Sequence, residues 1–212
     1  MAPGGECDFG GFECLVRREI RTRARCPSYE LPKGWIMELG AFLPGKLVLA
    51  RGTVLDYREL ERFHYRAKSP ASWAGVWVVR YEEHFTGGPP VPRETSRVVA
   101  AAVLSYPTVN SSARDLALGL GDWEPRRRLS FVNANVRAIS RVVVHPQFRS
   151  LGLAAALVRE VCRQCPTRFV EAFAVMGRVH PFFEKGGMKC VAANRDRPVY
   201  YLFDRRAAAA RE

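Results

Sequence analysis

Residues 142–157 read VVVHPQFRSLGLAAAL. Three β-branched valines end at His145-Pro146, and Arg149-Ser150-Leu151-Gly152 then leads into an alanine-rich run with Leu153 and Leu157 one turn apart. Valine favours strands and proline ends them, while alanine is the strongest helix former, so this is a buried strand, a short seam and a helix. The first turn of a helix leaves N–H groups unpaired and carries about half a positive charge, which makes such a seam an anion site. Gly152 lets a ligand approach the backbone, Ala154 keeps the first turn uncrowded, and Arg149 adds charge at the rim. The Gly-Lys-Ser/Thr ending of a P-loop and the three glycines of a dinucleotide fingerprint are both missing.

Upstream, the strand begins at Val136 and comes after a long polar segment, 107–134, that reads as a candidate binding loop. Before it, GVWVVRYE (75–82) and SRVVAAAVLSYP (96–107) are β-type runs on either side of a Gly/Pro-rich hairpin loop, so they are expected to pair antiparallel. KLVLARG (46–52) is a further strand. Thr53 and Asp56 form a capping box that opens a helix over VLDYRELERFHYR (54–66), with Leu55, Leu60 and Phe63 on one face. Downstream, the helix runs to about Gln164, followed by the apolar strand RFVEAFAVM (168–176), a short helix in HPFFEKGG, and the strands MKCVAAN and PVYYLFD. Strand, helix and strand over 136–176 make a crossover, so the expected fold is α/β with a mixed sheet. Residues 46–204 form one domain after an extension, 1–45, of weak periodicity; 205–212 is a helical tail.

The chain has 212 residues, 48% of them hydrophobic and 25% charged, and a net charge of +12. Its size suits one well-filled core. No apolar run is long enough to span a bilayer and the start does not read as a secretory signal, so a cytoplasmic location without membrane attachment is expected. The positive charge suits a polyanionic partner, DNA or RNA, although its being almost all arginine is also what GC-rich coding produces. Without a secretory context reduced thiols are expected; Cys162 and Cys165 form a C-x-x-C without a second pair or a His cluster, so no metal site is expected, a zinc knot among Cys7, Cys14 and Cys26 being the lesser alternative.

With these residues in view, the chain resembles the GNAT acyltransferases, whose cofactor loop has the form Gln/Arg-x-x-Gly-x-Gly/Ala. Arg149, Gly152 and Ala154 fill it, and HPFFEKGGM is similar to the family's second cofactor motif. The resemblance implies a GNAT fold: a mixed central sheet, splayed between the fourth and fifth strands and flanked by helices. It implies acetyl-CoA or a related acyl-CoA as cofactor, with pantetheine along Val142, Val143 and Val144, the pyrophosphate on the amides of Arg149, Ser150, Leu151, Gly152, Leu153 and Ala154, and Phe183 at the second motif. It also implies direct transfer to an amine, with a backbone N–H near Val142–Val144 stabilising the oxyanion. NVRAISRVVVHPQFRSLGL, FFEKGGM and RFHYR are similar to the GNAT-type domain joined to ABC-type ATPases. More distantly, the His64-Tyr65 pair resembles the phage Mom group, which modifies adenine in DNA.

Phe183 stands where many members of the family have the tyrosine that protonates the leaving thiolate. Either another group does this or the chain does not catalyse transfer; Tyr65, Tyr106, Tyr200, Tyr201 and His64 are alternatives. His64 and Tyr65 are read as substrate-handling residues or as a helix cap and a core tyrosine, and with Ser140 and Tyr106 they make up the catalytic candidates. His145 reads as a rim residue. Ser140 and Arg141 face opposite ways on the strand, and Arg141 needs a partner, which is either a carboxylate such as Glu171 or a substrate. EPRRRLS (124–130) is a solvated turn or a phosphate clamp. Three functions remain open: an acyltransferase whose amine acceptor is a nucleic-acid base or a nucleic-acid-associated protein, a Mom-like DNA base-modifying enzyme, and a non-catalytic CoA- or nucleic-acid-binding module beside an ATPase.

Overall fold

The computed structural model describes residues 35–38, 45–65, 69–83, 96–192 and 198–210. Its framework is one eight-stranded sheet in the order β1-β2-β3-β4-β5-β6-β8-β7. The strands are β1 (Trp35–Glu38), β2 (Gly45–Gly52), β3 (Gly75–Glu83), β4 (Arg97–Ser105), β5 (Val136–Val144), β6 (Phe169–Ala174), β7 (Lys189–Ala192) and β8 (Val199–Asp204). Among the described strands β5 and β6 pair in parallel and the other neighbours are antiparallel. The expected splay between fourth and fifth strands is here between β5 and β6, because β1 adds an edge strand from the stretch that gave no pattern.

Helices cover both faces. On one side α4 (Leu153–Gln164) and α5 (Phe182–Lys185) pack over Trp77, Val79, Val99 and Val170. α1 (Val54–Glu61) covers the other side over Val76, Val78, Ala101 and Val143. The Thr53 capping box is formed: the Asp56 N–H donates to Thr53 Oγ1 at 3.3 Å and the Thr53 N–H to Asp56 Oδ2 at 2.6 Å. Beyond it the helix is shorter than its sequence suggests. It ends at Glu61 with Arg62 as cap, so His64 and Tyr65 lie in the turn after it, and Leu55 is 68% exposed while Tyr57 and Leu60 fill the core. α6 (Arg205–Ala209) forms in the tail.

The segment expected to be a binding loop contains two helices, α2 (Ser112–Leu118) and α3 (Pro125–Asn135). Ser111 Oγ caps α2, Gly119 at φ 62° closes it, and the Glu124 carboxylate accepts from the Arg126 and Arg127 N–H groups with Pro125 in the first turn. These cap signals are in the sequence, but α3 buries a single residue, Val132, and so leaves no apolar periodicity to read. EPRRRLS is therefore a helix start, not a turn. α2 is fixed to β6 through Arg114, whose Nη1 is 3.1 Å from Glu171 Oε1 with both side chains buried. Tyr200 OH donates to the other carboxylate oxygen at 3.0 Å. Glu171 thus belongs to Arg114, which corrects the pairing expected with Arg141.

Candidate functional site

β5 pairs with β6 only from Val136↔Phe169 to Ile139↔Ala172, and then runs on to Val144 without it. The His145 N–H donates to the Val99 carbonyl at 2.8 Å. In an antiparallel ladder the backbone groups alternate, so those of Val142 and Val144 point away from β4 into the opened side. Val143 instead turns its backbone to β4 and its side chain into the core under α1. Arg149 Nε donates to the Val144 carbonyl at 3.4 Å, so the guanidinium covers an acceptor on this edge.

The vertex of the splay lies at an irregularity in the β4–β5 ladder, where Val103 faces Arg141 but Leu104 faces Ile139. Ser140 is the extra residue. A bulge turns the next residues of its strand: Ile139 packs toward α4, whereas Arg141 lies under α1 beside Tyr57. The Arg141 Nη1 group donates to the Ser140 carbonyl at 2.8 Å. Ser140 Oγ and Ser105 Oγ are 2.6 Å apart, and Ser105 Oγ donates to the Ser72 carbonyl at 2.6 Å. Tyr106, 54% exposed, comes next: its N–H donates to Ser72 Oγ at 3.1 Å and Arg137 stacks on its ring at 4.5 Å. Two catalytic candidates, Ser140 and Tyr106, therefore stand together with Ser72, Ser105 and Arg137. Sequence reasoning missed those three; Ser105, a polar residue ending an otherwise apolar strand, was the available signal.

The other two candidates are elsewhere on this face. His64 and Tyr65 stack on each other at 4.7 Å after α1, and the preceding Phe63 meets His145 edge-on at 4.8 Å. Their turn thus starts from the C-terminal end of β5, not from its vertex. Burial first, and then Arg97, Arg62 and Arg149, hold the His145 imidazole below its usual pKa.

The seam has the shape expected of an anion cradle. After the 3-10 turn Pro146–Phe148, Ser150 has φ 68° and Gly152 φ 78°, and α4 starts with no side-chain cap and no acid in its first turn. The first N–H groups of α4 therefore have no side-chain cap. A Cβ on Gly152 would meet nothing within 4 Å, so glycine is required there by its left-handed backbone rather than by crowding. Leu151 is exposed, while the Leu153 side chain is core and only its backbone borders the cradle.

Phe183 is buried, stacked on Tyr201 at 5.2 Å. Tyr201 OH lies 3.2 Å from both the Gly177 carbonyl and Glu184 Oε1. Burial, then the Glu184 charge, pushes its pKa up to about 12. Tyr200 faces the opposite side and is held by Glu171, and burial pushes its pKa far up as well. Cys162 and Cys165 are buried in the core, and burial drives the Cys162 thiol upward. Cys7, Cys14 and Cys26 lie outside the described residues. Among the described residues no group of three or more His, Cys, Asp or Glu is placed to hold a metal, and no helix is long and apolar enough to cross a membrane.

A family model described as the acetyltransferase (GNAT) family matches residues 55–188, more than half of the chain and all of the cradle. The chain belongs to this family. GNAT membership agrees with the mixed sheet and its splayed parallel pair. No curated protein sequence matches the chain. Among solved structures, it is similar to NAA60 of Arabidopsis thaliana in complex with acetyl-CoA, at 15% identity and a TM-score of 0.48, over 74% of this chain and 97% of that one. YhbS, a GNAT family N-acetyltransferase from Escherichia coli in complex with CoA, is similar at 10% identity and a TM-score of 0.47, over 79% and 85%. The aminoglycoside acetyltransferase AAC(6')-Ib in complex with coenzyme A and kanamycin gives 16% identity and a TM-score of 0.41, over 78% and 99%.

Proposed function

We propose that this GNAT protein is an acyl-CoA-dependent N-acyltransferase, using acetyl-CoA or a related acyl-CoA, whose amine acceptor is carried on nucleic acid or on a protein bound to it. The observation that carries the cofactor part is the uncapped start of α4, which directly succeeds a strand whose edge opens at Ile139. The residues fit the cofactor. Val142 and Val144 offer backbone groups to the pantetheine amides, and the N–H groups from Gly152 to Ala154, with Arg149 at the rim, suit a pyrophosphate.

Bound at this edge, the cofactor supplies an activated thioester carbonyl. Transfer to the acceptor nitrogen would form the N–C bond as the C–S bond breaks, with the CoA thiolate leaving and the nitrogen proton passing to solvent or a neighbouring base. Holding both reactants at the Ser140 vertex supplies much of the rate, and a β5 N–H on the open edge, Val142 or Val144, stabilises the oxyanion. Phe183 cannot protonate the departing thiolate. Tyr201, stacked on it, keeps its phenol proton at neutral pH, and to serve as the donor its hydroxyl must leave the Gly177 carbonyl and Glu184, while Tyr200 is held by Glu171. The net charge of +12 supports a polyanionic acceptor, and a Mom-like base modification is the variant of this reading that His64 and Tyr65 would serve. The buried Phe183 favours a second reading, a CoA-binding module without catalysis, for instance beside an ABC-type ATPase.

Calorimetric titration of acetyl-CoA and desulfo-CoA into wild type and Gly152→Glu tests the site. The glutamate would extend into the open space over the α4 N-terminus and repel a pyrophosphate. Binding to wild type that is lost in the variant is expected; no binding to wild type refutes the cofactor assignment. Screening DNA and RNA by mass shift with bound cofactor then separates an enzyme from a binding module.

A further inference from the structure

Arginines gather at the C-terminal end of β5, where the end of α1 meets the start of β4. Arg58 and Arg62 lie one turn apart at the end of α1, Arg97 opens β4, and Arg149 comes after the 3-10 turn. Arg58, Arg62 and Arg97 line an open cleft of about 510 Å³ together with Phe63 and His145, and Glu59 is the one carboxylate among its described lining residues. The volume is in the range of small-ligand sites and exceeds what one phosphate needs.

Two features separate this cleft from an ordinary solvated surface. First, three arginines, Arg58, Arg62 and Arg97, share one cleft, and among the described residues none of the three forms an ion pair. Like charges gathered without counter-charges are unfavourable in the free protein, and a bound anion relieves that cost. Second, the guanidinium groups are already positioned. Arg62 lies 4.8 Å from the Phe63 ring centre, and Arg97 lies 5.0 Å from that of Phe148 and 5.7 Å from that of Tyr81. Stacking fixes the guanidinium planes and leaves their N–H edges for phosphate oxygens, which a planar fork binds bidentately.

We infer that this cleft holds the phosphodiester backbone of a nucleic-acid acceptor, with Arg62 and Arg97 on one phosphate and Arg58 on its neighbour. The inference rests on the acyltransferase reading for the ligand's role as acceptor, and deepens it by placing that acceptor. From His145 to Ser140 is five residues of strand, roughly 17 Å. At a rise of about 3.4 Å per nucleotide, a chain anchored in the cleft brings a base to the vertex about five nucleotides away.

The test is fluorescence anisotropy of labelled single-stranded DNA and RNA over a salt series, with wild type, Arg62→Ala/Arg97→Ala, Arg62→Lys/Arg97→Lys and the surface control Arg159→Ala/Arg163→Ala on α4, all matched by circular dichroism. The alanine pair in the cleft should weaken binding about tenfold at low salt and lower the salt slope by about 1.4, two contacts at about 0.7 each for a single strand. The lysine pair should recover most of the affinity, and the control should change it by less than about threefold. Equal losses in the two alanine pairs, or an unchanged slope in the cleft pair, overturn the inference. It is also overturned if the cleft pair weakens acetyl-CoA but not its 3′-dephospho form, because the cleft then serves the cofactor's own phosphate. Failure of wild type to bind either cofactor, with the oligonucleotide results as expected, would sink the acyltransferase reading and leave the phosphate site standing.

Discussion

Replacing Arg114 by methionine removes the cation paired with Glu171. The two side chains are 0% and 1% exposed, their closest atoms are 3.1 Å apart, and the guanidinium also donates to the Thr108 and Val109 carbonyls at 2.7 and 3.1 Å. The carboxylate would be left in the core with the Tyr200 hydroxyl, and breaking one side of a buried ion pair costs about 3–5 kcal/mol. For a domain of this size each kcal/mol moves Tm by about 2–4 °C, so a fall of about 6–20 °C is expected. Adding Glu171→Gln removes the orphaned charge while keeping an acceptor for Tyr200, and should restore most of the loss. Burial, only partly offset by Arg114, already raises the Glu171 carboxyl pKa above its ordinary value. The native state therefore binds this proton more readily than the unfolded chain. Its contribution is present in acid and is lost as pH rises from the unfolded value, about 4.3, through the folded one. Without Arg114 the folded pKa is higher still, so urea melts followed by circular dichroism should show the variant losing more stability than wild type between pH 5 and pH 8. A loss under about 1 kcal/mol, or a double variant whose cost is the sum of the two singles, would refute the anchoring role of this pair.

Gly152→Ala should lower stability in thermal melts by about 1–2 kcal/mol, the cost of a left-handed alanine, and Gly152→Asn should be milder; equal stabilities for all three would show that φ at this position is not what matters. Ser140→Ala removes the 2.6 Å contact with Ser105, which keeps its bond to Ser72. A stability loss of about 0.5–1.5 kcal/mol with unchanged cofactor affinity is expected, and a fall in transfer rate beyond about tenfold would identify the vertex hydroxyl with substrate positioning. Phe183→Tyr adds a phenol beside Tyr201; if thiolate protonation limits turnover its rate should exceed that of wild type, and an unchanged rate together with an inactive Tyr201→Phe would assign the proton to Tyr201. For Asp56, burial raises the pKa, but the Thr53 hydrogen bonds and Arg80 outweigh it and the net shift is downward. Its contribution is therefore present above the unfolded value and lost as pH falls through the folded one. Thr53→Ala should cost about 1 kcal/mol in thermal melts and flatten this acid limb.

The sequence by itself determined the elements whose signals are local. Consecutive valines, the Thr53-Asp56 box and the glycine before an alanine run each act within a few residues, so β3 to β5 and the starts of α1 and α4 were all legible. α2 and α3 were not, because caps without an apolar stripe look like a polar loop. Which groups meet depends on register and packing. The β4–β5 bulge, invisible in a run of apolar residues, turns Arg141 away from the Ile139 face and brings Ser140 to Ser105. Glu171 could be recognised as needing a cation, but its partner comes from 57 residues upstream through a helix that was not foreseen. Only the tertiary structure, by ending α1 at Glu61 and laying its last turn across the ends of β4 and β5, put Arg58, Arg62 and Arg97 around one cleft. Charge adds without regard to order in a composition, whereas a field strong enough to select a ligand requires the charges to be close together, and chain folding alone decides that.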